Sequence, residues 1–443
     1  AFIELKVNPW KEETAKLLKE TGDASDWTPE QRRERCRLDA WASLMLASHY
    51  QDNRKDLVNI SHRIQMTLYR VGLAGAAVFN SRFKRLGNEW RASAARYGDL
   101  VTRAAFKTGM TKFEPTNKNH LRELLFERLH LKKMGYTKKS HEAQVDKEVL
   151  KETLKLTSKK WKRTLIKNIL HFSSNDKLAK ALLGGKHKEK SIGFLKIPFP
   201  GNKNLSLLNN WINPLGAKTG RRSGGGTDKE ISHGGVNPQN WHPKIRGIIV
   251  SRWYGHGGEG ASFDYNKLEP LMMAWKLGSK ALLEYFSVGG GGYIQLAKDL
   301  LHLTIEPGSS GYKAIKAIYL GIGYYMNDWK LSHDLWFKAG LKFSEDWDEH
   351  VRLTAKVRKK YFKMFPEVKA YHRRQRREVK KHQRAVGELG MIRHLYHLGP
   401  DMEGYKRYEN QAINFPIQWL ASLVTGSAMI DYERALLKEH KIS

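Results

Sequence analysis

The sequence predicts a mostly helical α+β protein whose small sheet is assembled from strand segments far apart in the chain. Three observations carry this. Long stretches repeat apolar residues at helical spacing, around 28–51, 60–113 and 267–385. Two short β-rich runs, "IRGIIVSRW" and "ASFDYNKL", flank a glycine-rich turn, "GHGGEG", at 255–260. Gly-, Asn- and Pro-rich loops at 198–236 separate the helical blocks.

Taken in order, Thr28 and Pro29 form a cap and first-turn pair for a helix over 28–51. A long amphipathic pattern from about 60 to 113 includes the small residues of "GLAGAAVF". Pro115 breaks it, and "FEPTNKNHLRELLFERL" restarts as a helix with an apolar stripe. Residues 130–190 are dense in lysine. The stretch "GYKAIKAIYLGIGYY" (311–325) places Tyr312, Lys316, Leu320 and Tyr324 along one helix face. Gly321 and Gly323 then weaken that helix by about 1 kcal/mol each relative to alanine. Such weak points suit a flat anionic ligand that must approach the backbone. Further on, "HRRQRREVKKHQR" (372–384) carries seven Lys/Arg and one acid. No repeat of fixed period is present.

A chain of 443 residues is long for one core and suggests several lobes. No apolar run reaches the length of a membrane span. Charge dominates: 78 Lys+Arg against 45 Asp+Glu gives a formal net of +33. That excess favours a polyanionic partner, nucleic acid first and an anionic membrane second. A binder contacting 6–10 phosphates loses roughly 10³–10⁵ in affinity between 50 and 200 mM salt. The lone Cys36 excludes an intramolecular disulfide framework and a cysteine-rich zinc site. The sequence opens "AFIEL" without methionine, as a piece cut from something longer would.

Single residues point to chemistry only modestly. Asp264 closes the run "ASFDY" at the end of an expected strand, where a carboxylate can hold Mg²⁺ and leave positions for phosphate oxygens. The plainer reading is a cap for the next helix. Glu269 fits an ordinary first-turn acid equally well. Lys316 suits a triphosphate contact or a solvated surface. Tyr324 suits a base-stacking face or the core. "NFPIQ" (414–418) offers Asn414 and Gln418 for minor-groove hydrogen bonds, or a loop entering a helix. The glycines 289–292 lack the Lys-Ser/Thr of a phosphate-cradling loop, and no HExxH or comparable metal spacing occurs.

Their order is more specific than any one of them. "TGR" (219–221), "NPQNWHPKIR" (237–246), "SFDYNKLE" (262–269), Lys316 to Tyr324 and "NFPIQ" together resemble the family A DNA polymerases. Upstream, "FEPTNKNHLRELLFERL" is similar to a thumb segment of that family, and "CRLDAWASL" (36–44) to the tail of its 3′–5′ exonuclease domain. The resemblance implies an α+β right-hand fold with palm sheet, helical fingers and helical thumb. It implies an exonuclease remnant at 1–60, thumb and connecting helices at 61–212, palm at 213–268 and 396–443, and fingers at 269–395. Implied activity is DNA-templated nucleotidyl transfer from dNTP to a primer 3′-OH with two Mg²⁺ ions, Mn²⁺ substituting. Primer-template DNA and dNTPs are the implied partners, in the cytoplasm of a bacterial or phage-infected cell, with no membrane. Asp264 would bind both ions, with the Tyr265 carbonyl as a further ligand, and Lys316 would meet the triphosphate and act on the leaving pyrophosphate. Glu269, Gln295, Lys313, Leu320 and Tyr324 would form the nucleotide pocket. Arg221, Gln239, Asn240, Arg246, Asn414 and Gln418 would follow the DNA.

Several positions depart from the family pattern. Tyr312 stands where motif B has arginine, with Lys313 beside it as a substitute, and Leu320 stands in place of an aromatic. Lys267 replaces a glutamine, Gln295 a histidine, Asn410 an arginine and Trp419 a glycine. The family's second catalytic carboxylate, in a Val-His-Asp-Glu hairpin, is expected just past Ser443. The chain as given is therefore expected to bind primer-template yet polymerise feebly unless a C-terminal polypeptide supplies that segment. Asp39 alone could represent the exonuclease acids, with Arg35 where tyrosine is usual, so no proofreading is expected. Alternatives are a non-catalytic DNA-binding protein on a polymerase scaffold and a single-subunit RNA polymerase relative, the latter separable by dNTP against rNTP use.

Overall fold

A computed structural model describes residues 28, 30 and 55–439, apart from 135, 137–141, 188–189, 193–194, 210–211, 214–215, 218, 225–240, 261–263, 288, 290 and 396–404. Apart from Thr28 and Glu30, the expected helix over 28–51, with Arg35, Cys36 and Asp39, lies outside these residues, as do Gln239 and Asn240.

Helix α1 (Lys55–Ala74) ends at Gly75, whose positive φ of 65° turns the chain into strand β1 (Ala76–Phe79). The amphipathic pattern expected from about 60 to 113 is therefore interrupted at "AAVF", which is strand. Glycine takes the left-handed conformation without steric cost, and Val78 then becomes fully buried in a sheet. Helix α2 (Asn80–Lys107) follows. After Pro115, Asn117 caps α3 (Lys118–Arg122) by accepting from the Asn119 and His120 amides, and the chain continues as a π segment, Glu123–Arg128. Helix α4 (Lys147–Leu156) is capped by Asp146. Helix α5 (Lys160–Leu183) packs antiparallel on α2, with Gly87 against Leu183 and Gly98 against Phe172.

Strands β2 (Leu195–Pro198), β3 (Leu205–Asn209) and β4 (Ile249–Val250) complete an antiparallel sheet of order β2-β3-β1-β4, in which Ala77 faces Leu207 on one side and Val250 on the other. The sheet is thus built from distant segments. One of its strands, β3, lies where continuous loop was expected after residue 198, because Leu205, Leu207 and Leu208 bury their side chains there. The expected strand through "ASFDYNKL" does not include Asp264–Lys267, which are irregular or turn.

Helices then dominate: α6 (Leu268–Leu277), α7 (Lys280–Phe286), α8 (Gly292–Leu301), α9 (Ser310–Gly323), α10 (Asp328–His333) with a π segment to Ala339, α11 (Trp347–Met364) and α12 (Pro366–His382). A hairpin of β5 (Arg384–Val386) and β6 (Ile392–His394) leads to the 35-residue α13 (Tyr405–Glu439). The helices from 268 to 382 close around one core, including Met273, Phe286, Tyr293, Ile315, Tyr319, Tyr361 and Phe365. Helix α13 lends that core Ile413 and Ile417 and presents Phe415, Trp419 and Leu423 to a second core with α1. Apolar residues therefore occur all round α13, as a helix between two cores requires.

The NFPIQ segment lies inside α13, not in a loop. Pro416 cannot donate to the Ala412 carbonyl. One residue on, the Ile413 carbonyl accepts from the buried Tyr371 hydroxyl at 2.8 Å, which ties α12 to the weakened turn.

Candidate functional site

The chain between Gly220 and Arg222 is pressed against α13. Gly220 has a φ of 79°, and a Cβ there would lie 3.1 Å from Trp419 and 3.2 Å from Phe415. This close approach sets Arg221 and Arg222 along the helix. Arg222 is mostly buried, donates to the Ser422 carbonyl at 2.8 Å, and has its pKa lowered by desolvation. Opposite, α6 begins at Lys267, whose carbonyl accepts from the Leu271 amide at 3.1 Å. Pro270 sits early in that helix, where its missing N–H costs nothing.

Helix α9 forms the next wall. Ser309 caps it by accepting from the Tyr312 amide at 3.1 Å. Its inner face, Ala314, Ile315, Ile318, Tyr319 and Ile322, is buried, and the Tyr319 hydroxyl donates to the Pro270 carbonyl at 3.4 Å. Gly323 lies so near Met273 of α6 that a Cβ would approach its Cε to 2.6 Å, and Gly321 faces Leu331 and Met326. The expectation that these glycines open the helix to a ligand is corrected: both are buried, and they let α9 sit close to its neighbours.

Between these walls lies a cleft of about 830 Å³. Asp264, Tyr265, Glu269, Lys316, Leu320, Arg221 and Gln418 all line it, so the acid and the cation singled out in the sequence do share one space. Arg221 pairs with Glu269, which also accepts from the Tyr324 hydroxyl at 3.1 Å. Burial pushes the Tyr324 hydroxyl up to about 12, opposed by the nearby Arg221 charge and a hydrogen bond with Gln418. Tyr324 therefore stays a neutral donor that holds Glu269 from below. Arg221, Arg222, Lys267 and Lys316 outnumber the carboxylates of Asp264 and Glu269, so the cleft favours an anionic ligand.

Other sequence-predicted residues fall outside the lining. Gln295 donates to Asp299 at 2.9 Å along α8. Lys313 is exposed on the first turns of α9. Arg246 closes a one-turn helix, Pro243–Arg246, and donates to the Trp241 carbonyl at 3.3 Å. Asn414 sits one turn before Gln418, its side-chain oxygen buried without a hydrogen-bond partner among the described residues. Sequence reasoning missed Arg222, Tyr293, Ser422 and Thr425, which also line the cleft. Arg222 directly follows "TGR", and Ser422 is one turn beyond Gln418, so helical spacing from the matched motif would have found the latter.

As a metal site the cleft is sparse. Asp264 has no hydrogen-bond or ion-pair partner among the described residues, while Glu269 is engaged by Arg221 and Tyr324. No cluster of three or more His, Cys, Asp or Glu suited to a metal occurs among the described residues. One free carboxylate fits a single Mg²⁺ that takes its other oxygens from phosphates and water. The described residues of the cleft offer no second free carboxylate for a further ion.

No described helix is long and apolar enough to cross a membrane. The family model for DNA polymerase family A matches residues 82–443. A DNA polymerase of Bacillus phage SP01 is 27% identical over 259 residues, covering 54% of this chain and 27% of that protein. DNA polymerase I of Bacillus caldotenax is 23% identical over 394 residues, covering 87% of this chain and 40% of its own length. The chain thus spans well under half the length of these curated relatives. The fold is similar to the polymerase domain of Pol1 from M. smegmatis, solved in complex with DNA primer-template and dNTP. The TM-score is 0.65 at 20% identity, covering 86% of this chain and 60% of that one. With a family match from residue 82 to 443 and a mostly helical α+β architecture shared with a solved polymerase domain, the chain belongs to DNA polymerase family A.

Proposed function

We propose that this chain binds primer-template DNA and a dNTP and takes part in template-directed DNA synthesis. The observation that carries the reading is the shared cleft, where the free carboxylate of Asp264 faces a helix carrying Lys316. In this reading 269–395 act as fingers, 213–268 and 396–443 as palm, and 61–212 as thumb. The helical core from Met273 to Tyr371 supports the fingers assignment. The four-stranded sheet crosses the thumb–palm boundary, since β1, β2 and β3 precede residue 213 and β4 follows it.

The reaction is attack of a primer 3′-oxygen on the α-phosphate, forming a new P–O bond as pyrophosphate leaves. Asp264 and the Tyr265 carbonyl would hold Mg²⁺, which when bound stabilises charge developing on the reacting oxygens. Lys316 neutralises the triphosphate and meets the departing pyrophosphate. Glu269, held by Arg221 and Tyr324, closes the sugar side of the pocket. Gln418, on α13, borders the same cleft and follows the minor groove.

A second reading is a non-catalytic DNA-binding protein on the same scaffold. Primer extension with Mg²⁺ and dNTPs separates the two. Extension that falls on the order of 10³-fold or more in Asp264→Ala, with primer-template affinity unchanged, supports synthesis. Tight, salt-sensitive DNA binding without extension supports the second reading. Absence of DNA binding overturns both.

A further inference from the structure

Four cations line the cleft, and their neighbours divide them. Arg221 is taken up by Glu269, and Arg222 is mostly buried against the Ser422 carbonyl. Lys316 and Lys267 have no hydrogen-bond or ion-pair partner among the described residues. Lys316 projects from the regular helix α9. Lys267 adopts φ 57°, ψ 32°, a left-handed conformation that costs a side-chain-bearing residue energy. It caps α6 without any side-chain hydrogen bond, so capping does not explain why lysine occupies this position.

That backbone turn sends the side chain across to α8. A Cβ on Gly292 would lie 2.6 Å from Lys267 Nζ and 2.8 Å from its Cε, so the lysine runs over the first residue of that helix. An ammonium at the positive end of a helix dipole is unfavourable on its own. Backbone strain, a missing partner and a like-signed dipole all disfavour a lysine here in the unliganded protein. An anion between Lys267 and Lys316 reverses the electrostatic part of that balance. Tyr312, on the first turn of α9, packs its ring on Tyr293 at 5.4 Å and adds no positive charge to the cleft.

We infer that Lys267, a strained palm-side residue, is a second triphosphate-contacting cation that works opposite Lys316. This rests on the dNTP-binding reading above and names the group that serves the β- and γ-phosphates.

The test is dATP binding, with Mg²⁺, to the chain on a primer-template whose primer ends in a dideoxynucleotide, so that no bond can form. Lys267→Gln is expected to weaken dATP about tenfold, the size of one charge-assisted hydrogen bond, and to flatten the salt dependence. Binding of the uncharged deoxynucleoside is expected to be unmoved, and Lys267→Arg is expected to retain dATP affinity. Lys267→Gly is expected to weaken dATP while raising Tm, because glycine adopts this conformation freely. Unchanged dATP affinity in Lys267→Gln, or a lower Tm in Lys267→Gly, overturns this inference and leaves the dNTP-binding reading standing. A wild-type chain that binds no dATP in this complex overturns both.

Discussion

The helical core from Met273 to Tyr371 and the cleft it borders are built on opposite terms. In the core, Tyr319, Tyr361, Tyr371 and Phe365 are almost wholly buried, and Tyr361 meets Tyr319 and Phe365 edge-on, the latter with centroids 5.0 Å apart. Two of its polar groups are matched across elements, while the buried Tyr361 hydroxyl has no hydrogen-bond partner among the described residues. Tyr371 donates to the Ile413 carbonyl, and His372 Nε2–H donates to the Gly323 carbonyl at 2.8 Å. The cleft wall from Asp264 to Lys267 is irregular, largely exposed and left-handed at its end, with an acid and an amine that lack protein partners among the described residues. One region is ordered mainly by its own apolar packing; the other leaves charged groups exposed to a ligand. Both are joined by α6 and α9, so rigidity in the first aims the charges of the second.

This contrast can be broken most strongly from the core side. Phe365→Ala removes a ring at 1% exposure and is expected to cost about 3–5 kcal/mol. Thermal melting should show it as a large drop in Tm; a shift no bigger than that of a surface substitution would mean the helices are not packed as described.

Next in size is a pH effect at His372. Burial, with Arg358 and Arg376 nearby, holds its pKa down to about 4, from an ordinary 6.5, although the hydrogen bond to Gly323 opposes this. Between those values the unfolded chain takes up the proton and the folded chain does not. Stability is therefore expected to fall as pH drops from about 6.5 towards 4, by about 3 kcal/mol in all. Melting curves across that range should lose this slope in His372→Gln, and an unchanged slope would assign the effect to other groups.

The smallest expected stability effect lies in the cleft. Leu320 is half-buried and lines it one turn beyond Lys316, so Leu320→Phe is expected to cost less than about 1.5 kcal/mol. Single-nucleotide incorporation or dNTP affinity should shift in its preference between deoxy- and ribonucleotides. Identical selectivity would remove Leu320 from the pocket.

Much of the site was legible because its residues are carried by short motifs. Asp264, Glu269 and the Lys316–Leu320 pair are separated by fixed helical or turn spacings, and spacing survives in the sequence. Gln295 and Arg246 have equally recognisable surroundings, yet they turn to Asp299 and Trp241, outside the lining. Side-chain direction depends on partners that no local pattern encodes. The interruption at Gly75 was missed because "GLAGAAVF" reads as helix or strand alike until its pairing with Leu205–Leu208 is known.

Composition and periodicity by themselves determined a basic, mostly helical chain suited to an anionic partner, because both depend on residue type and local spacing, while the order of its motifs carried the resemblance that singled out an acid, a lysine and an arginine. Only the tertiary structure decided that Gly321 and Gly323 serve helix packing, that NFPIQ lies within a helix between two cores, and that Lys267 reaches across to Gly292. Those outcomes depend on which distant surfaces meet, and burial, not local preference, sets the balance there.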